Sequence, residues 1–189
     1  EDHIANTPKQ ILIYKALCWT VPIFAHLPMI LGQDKKRLSK RHGATGVQTY
    51  RDEGYQSEAL LNYLSLLGWN PGTEEEIMSL SKIIDQFDLL KVHKKSAVFD
   101  DKKLNWISGQ HLGMQANEDI LIRIRLIKPN WGKTESNDFC LSVINLMKGR
   151  SKSLLDLIEN SVYYFQDPTE FNEKVLRKMV LFLLFIAIS

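Results

Sequence analysis

The chain has 189 residues, of which 44% are hydrophobic and 24% charged, a balance typical of a globular protein able to bury one core or two small ones. A formal net charge of only +2 excludes a molecule-wide polyelectrolyte partner for nucleic acid, so any such binding must come from local patches. The two cysteines, Cys18 and Cys140, lie far apart, and no Cys or His pair has zinc-knuckle spacing; no metal site is expected, both thiols read as small buried hydrophobes, and such low usage suits a reducing compartment.

In chain order, Thr7 before Pro8 predicts an N-cap and a first helical position, and Ile11, Tyr14, Leu17 and Cys18 on one face carry that helix to about residue 18. Val21 to Leu31 is apolar, interrupted by Pro22 and Pro28, and reads as a short buried strand with Pro28 at an edge or end. Lys35, Lys36, Arg37, Lys40 and Arg41 then crowd into seven positions around Leu38 and Ser39, followed by His42, Gly43 and Ala44. A strand leading into such a loop is the arrangement expected at the carboxyl edge of a parallel sheet. Val47 to Glu53 is a short helix stopped at Gly54. Ser57 is expected to cap a helix with Leu60, Leu61, Leu64 and Leu67 as its apolar stripe and Gly68 as its stop. Asn70-Pro71-Gly72 is a turn, Ser79 or Ser81 opens a helix to about Phe87, and Asp100 caps another that turns Leu104 and Ile107 inward. Asn117 starts a helix that runs to Lys128 before Pro129, with Ile120, Ile124 and Ile127 facing one way. Three further helical patterns lie near 137–148, 152–164 and 170–187, the last two separated at Asp167-Pro168. Trp69, Trp106 and Trp131 sit beside apolar helix positions and are expected in the core.

The basic cluster carries the chemistry. A patch built for solubility gains nothing from a fixed Leu-Ser pair, whereas a loop that folds over a polyphosphate does. Leu38 can anchor it to the core, Ser39 can tie its backbone, and Lys40 can aim an ammonium at phosphate oxygens. Taken alone, such a cluster also fits a solvated face or a localisation signal. Lys94, Lys95, Arg123 and Arg125 form further basic spots, readable as phosphate contacts or as solvated side chains.

The run Gln33-Asp34-Lys35-Lys36-Arg37-Leu38-Ser39-Lys40-Arg41-His42-Gly43-Ala44 resembles the second signature of class I aminoacyl-tRNA synthetases, in the variant of the bacterial-type glutamyl enzymes. Glu1 to Gln10, Tyr50 to Tyr55, Leu60 to Trp69, Val98-Phe99-Asp100 and Leu104-Asn105-Trp106 continue the resemblance to about residue 112. It implies a mainly α chain. Residues 1–42 would be the C-terminal remnant of a Rossmann-type catalytic domain, 43–112 a helical stem-contact domain, and 113–189 the start of a truncated helical anticodon-binding domain. It implies Lys40 as the catalytic lysine on the departing pyrophosphate and Arg37, Leu38, Ser39, Lys40 and Arg41 as the ATP loop. Arg37 stands where the family usually has lysine.

Asp2 and His3 would lie beside ATP and the tRNA 3′ end, and Lys94, Lys95, Arg123 and Arg125 would reach tRNA. The implied substrates are ATP with Mg2+, L-glutamate and tRNA(Glu), without zinc, in a monomeric parent enzyme of the cytoplasm or an organelle, away from membranes. The first signature of the class, with its two histidines, is not in the sequence. A piece of a longer enzyme, inactive by itself, is therefore expected. The apolar run Met179 to Ile188, too short to span a bilayer, reads as a buried helix or an artefactual end. The alternatives are glutaminyl-tRNA synthetase, a non-catalytic helical tRNA-binding module, and a structural helical protein with an accidental basic loop.

Overall fold

The computed structural model describes residues 1–39 and 46–166. The fold is mainly α, with α1 (Thr7–Ala16), α2 (Val47–Asp52), α3 (Ser57–Leu66), α4 (Leu80–Gln86), α5 (Asp101–Met114), α6 (Asn117–Ile127), α7 (Asn137–Met147) and α8 (Leu154–Asn160). Two short strands, β1 (Ile30–Leu31) and β2 (Ala97–Val98), pair in parallel, Ile30 opposite Ala97 and Leu31 opposite Val98. Among the described residues no helix is long and apolar enough to cross a membrane.

Helix starts follow local chemistry. The Ser79 hydroxyl accepts from the Lys82 amide, and the Asp100 carboxylate from those of Lys102 and Lys103. Ser136 and Ser153 do the same for Phe139 and Asp156. Each satisfies an amide that the first helical turn leaves without a partner. Gly54 ends α2 at φ 78°, and its carbonyl accepts from the Leu154 amide at 3.2 Å, so the end of α2 docks on the start of α8. A Cβ at this position would lie 2.9 Å from the Leu155 nitrogen.

Burial organises three clusters. Tyr50, Leu60, Tyr63, Phe99, Leu104 and Ile107 form the one nearest the sheet. Phe99 is its hub, with the Tyr63 ring edge-on at 5.1 Å and the Tyr50 ring tilted at 6.2 Å. The Tyr63 hydroxyl accepts from the Asp100 amide at 2.7 Å, and burial pushes its pKa up to about 12. Trp69, Met78 and Ile83 make a smaller cluster. The third joins α5 to α8 through Leu112, Ile120, Ile124, Ile144 and Leu157. It includes Trp131, whose indole donates to the Ser161 hydroxyl at 2.9 Å.

Several expectations are corrected. Val21 to Leu31 is not a buried strand: only Ile30 and Leu31 pair, and Ile23 is wholly exposed at 101%. Pro22 and Pro28 lack amide donors, and an extended segment enters a sheet only where a partner offers a ladder. The first helix ends at Ala16, so Leu17 and Cys18 leave its face; Cys18 takes φ 52° and is exposed, whereas Cys140 is buried as expected. Gln56, not Ser57, occupies the cap position of α3. The inner face of α3 carries Ala59, Leu60, Asn62 and Tyr63, leaving Leu61 and Leu64 exposed, because the Tyr63–Phe99 contact sets the helix rotation. Trp69 and Trp131 are buried, but Trp106 is 47% exposed; the buried face of α5 runs through Leu104, Ile107, Ser108 and His111, and position 106 turns away from it. Ile127, at the last turn of α6, is exposed while Ile120 and Ile124 are buried. The helical pattern at 170–187, the Asp167-Pro168 break and the apolar run Met179 to Ile188 lie outside the described residues.

Candidate functional site

The basic cluster opens as a hairpin. Gly32 donates to the Lys36 carbonyl at 2.8 Å, Lys35 donates to the Gly32 carbonyl at 3.0 Å, and Leu31 bridges Arg37 in antiparallel register. Gln33, Asp34 and Lys35 form a three-residue connection, with Lys35 in the left-handed region at φ 61°. This is the turn followed by a left-handed residue that three-residue hairpins use. The Asp34 carboxylate accepts from the Lys36 amide at 3.0 Å and tightens the turn.

Three ties hold this hairpin on the body. β1 is hydrogen-bonded on both edges: the Leu31 carbonyl accepts from Phe99 at 2.8 Å and the Ile30 carbonyl accepts from Leu38 at 3.0 Å. The Leu38 side chain packs on the cluster of Tyr50, Leu60 and Phe99, as an anchor should. The Gln33 side-chain amide donates to the Phe99 carbonyl at 2.7 Å. Sequence reasoning missed Gln33, and no local signal marks it, because its partner lies 66 residues away.

The remaining candidate residues fall in distinct places. The Arg37 guanidinium forms an ion pair with the Asp2 carboxylate. The structure therefore brings together two residues singled out separately. The His3 ring meets the Asn6 amide at 3.3 Å, and its carbonyl accepts from the Thr7 hydroxyl at 3.3 Å. Ser39 is exposed at the end of the described arm; Lys40 and Arg41, with His42, Gly43 and Ala44, lie outside the described residues. Lys94 lines an open cleft of about 380 Å³ with His26, Pro28 and His93, and Lys95 is exposed. Arg123 donates to the Gln115 side chain at 3.1 Å and Arg125 to that of Asn137 at 2.8 Å, so both guanidinium groups serve contacts within the helical part. An apolar cleft of about 240 Å³ lies between Pro28, Leu64, Trp69, Phe87 and Val92, lined by none of the basic residues.

A strand feeds the basic loop at the carboxyl end of a parallel pair, and a mainly helical body that supplies the second strand follows, the architecture that the resemblance to class I synthetases implies. Residues 1–106 match the family described as tRNA synthetases class I (E and Q), catalytic domain, and the chain belongs to that family. It is 47% identical to the glutamate–tRNA ligase of Moorella thermoacetica over 185 residues, covering 94% of this chain and 38% of that protein. It is 41% identical to glutamate–tRNA ligase 2 of Caldicellulosiruptor saccharolyticus over 181 residues, with the same shares. A crystal structure of a glutamate tRNA ligase from Elizabethkingia meningosepticum, in complex with its amino acid, superposes with a TM-score of 0.80 at 34% identity, covering 94% of this chain and 39% of that one. The chain thus spans under two-fifths of the length of the relatives it matches.

Proposed function

We propose that this chain is the loop-bearing and helical part of a glutamate–tRNA ligase that attaches glutamate to tRNA(Glu) at the expense of ATP. A carboxylate oxygen of glutamate attacks the α-phosphorus, the bond to the β-phosphate oxygen breaks, and pyrophosphate leaves; a terminal hydroxyl of the tRNA then takes the glutamyl group and AMP departs. Negative charge grows on the leaving phosphate oxygens in the first step. A cation aimed there stabilises the transition state more than bound ATP, and that difference lowers the barrier. Lys40 is assigned this role, with Leu38 and Ser39 placing the backbone that carries it. The observation that carries the reading is the hairpin: its stem is hydrogen-bonded on both edges of β1 and its partly buried Leu38 packs on the core, which ties down the arm that Lys40 follows in sequence. That the relatives named above are all glutamate–tRNA ligases favours glutamate over glutamine.

Within this reading, residues 1–42 end the catalytic domain, 43–112 contact the tRNA stem, and 113–189 begin an anticodon-binding domain. The enzyme would act as a monomer in the cytoplasm or an organelle. Mg2+ is expected with ATP; among the described residues no group of three or more His, Cys, Asp or Glu side chains could hold a metal ion.

The test is ATP–pyrophosphate exchange by the full-length protein with glutamate and tRNA present. Lys40→Ala is expected to slow exchange about 10²- to 10³-fold, the usual cost of removing one preorganised charge-stabilising group. Unchanged exchange would overturn the assignment. Salt-dependent tRNA retention without any exchange in the unsubstituted protein would replace it with the binding-module reading.

A further inference from the structure

We propose that Asp2 is a positioning residue for the arm that leads into Lys40, acting through Arg37; this inference rests on the adenylate-forming reading above. The Asp2 carboxylate accepts a charge-assisted hydrogen bond from the Arg37 guanidinium across 35 residues of chain. Arg37 is the residue that bridges Leu31, so its backbone is fixed in the hairpin stem while its side chain reaches back to the segment before α1. The tie lies on the outgoing arm, three residues before Lys40. Gln33 and Leu38 hold the turn and the inner face of the stem, and the Asp2–Arg37 pair holds the outer face.

The pair also settles a local charge conflict. A carboxylate next to a loop that receives a polyanion would repel it, and Arg37 neutralises that carboxylate. Arg37 in turn has its charge matched inside the chain, which leaves the phosphate contact to Lys40. This assigns Arg37 a role different from the phosphate-binding one that the resemblance implies. Both side chains are partly solvated, at 63% and 41% exposure, so the effect is modest. An exposed pair is worth about a two- to fivefold change in a rate or equilibrium.

The experiment measures kcat and KM for ATP in the exchange reaction of the full-length protein carrying Asp2→Asn, Arg37→Gln, both, Asp2→Glu, or Lys40→Ala. Asp2→Asn is expected to lower kcat about two- to fivefold, and Asp2→Glu to restore most of it. Arg37→Gln is expected also to raise KM for ATP, because it leaves an unmatched carboxylate, and adding Asp2→Asn to it should bring KM back. Were Arg37 a direct phosphate ligand, Asp2→Asn would leave kcat unchanged, and adding it would not repair the KM of Arg37→Gln. Either result, or losses that simply multiply in the double variant, overturns the positioning role. Exchange left unchanged by Lys40→Ala overturns the adenylate reading itself, whatever the Asp2 variants do.

Discussion

Helices α1 and α3 are both ten residues long and both rich in apolar side chains, yet α3 buries Ala59, Leu60, Asn62 and Tyr63 while α1 buries none. The same contrast runs through the regions around them. Residues 46–166 supply their own clusters, so a side chain such as Ile107 is fully enclosed. In the first thirty residues Leu12, Ile13, Trp19, Ile23 and Leu27 are exposed. Composition does not separate the two regions. What does is the presence of a second surface: α3 has α5 and Phe99 to close on, and α1 has no cluster among the described residues. Apolar content sets what a helix can bury, and only a partner surface decides what it does bury.

The sharpest way to break this contrast is a pair of truncations in the chain, read by urea unfolding. Ile107→Ala should cost about 2–5 kcal/mol, since it opens a cavity in an enclosed core, whereas Ile23→Ala should change stability by less than about 0.5 kcal/mol. Equal losses would mean that the first thirty residues share the core of the helical part. Gly54→Ala tests the joint between α2 and α8 and should cost about 2 kcal/mol or more. It forces a side chain into the left-handed region and against the Leu155 backbone. A neutral outcome there would show that the two clusters stabilise independently.

A smaller effect belongs to His111. Its ring donates to the Asn62 side-chain oxygen at 2.9 Å, which also accepts from the Met78 amide at 2.9 Å. Burial pushes the imidazole pKa below its ordinary value, with the Glu58 carboxylate pulling weakly the other way. The unfolded chain therefore binds this proton more readily than the folded one. The stability contributed by neutral His111 is full above the unfolded pKa, about 6.5, and declines as pH falls through it. The unfolding free energy of His111→Gln, followed from pH 7.5 to 5, should lose that acid-side decline. The smallest expected effect is a gain. Lys35→Gly relieves a side chain at positive φ in the hairpin turn and should add about 1 kcal/mol to the local stability of residues 30–38, read as slower amide exchange at Gly32 and Leu38.

Much of the helical part was legible in the residues. Ser79 and Asp100 cap where a hydroxyl or carboxylate stands before an amide-rich first turn, and Leu104 and Ile107 turn inward as helical spacing requires. Such features depend on neighbours within one or two turns. The stripe of α3 was misread because four leucines at suitable spacing compete for one inner face, and the Tyr63–Phe99 contact, 36 residues apart, chose the rotation. Trp106 was expected inside for its apolar neighbours, yet the inner face of α5 runs through Leu104, Ile107, Ser108 and His111, and position 106 lies off it. At the candidate site, the basic arm and the anchoring role of Leu38 were visible in sequence order, whereas the turn at Lys35 was not, because a lysine at positive φ carries no sequence mark.

The order of residues by itself determined which segments could be helical, that Ser79 and Asp100 cap two of them although Asn6 and Gln56 take the cap positions expected of Thr7 and Ser57, and that a cationic arm with an apolar anchor follows a short extended stretch. Those outcomes rest on interactions a few residues long. Tertiary structure alone decided that β1 finds β2 as a parallel partner, that Gln33 reaches the Phe99 carbonyl, and that Asp2 meets Arg37. Each joins residues 35 or more positions apart, and such contacts exist only once packing has brought the chain back on itself.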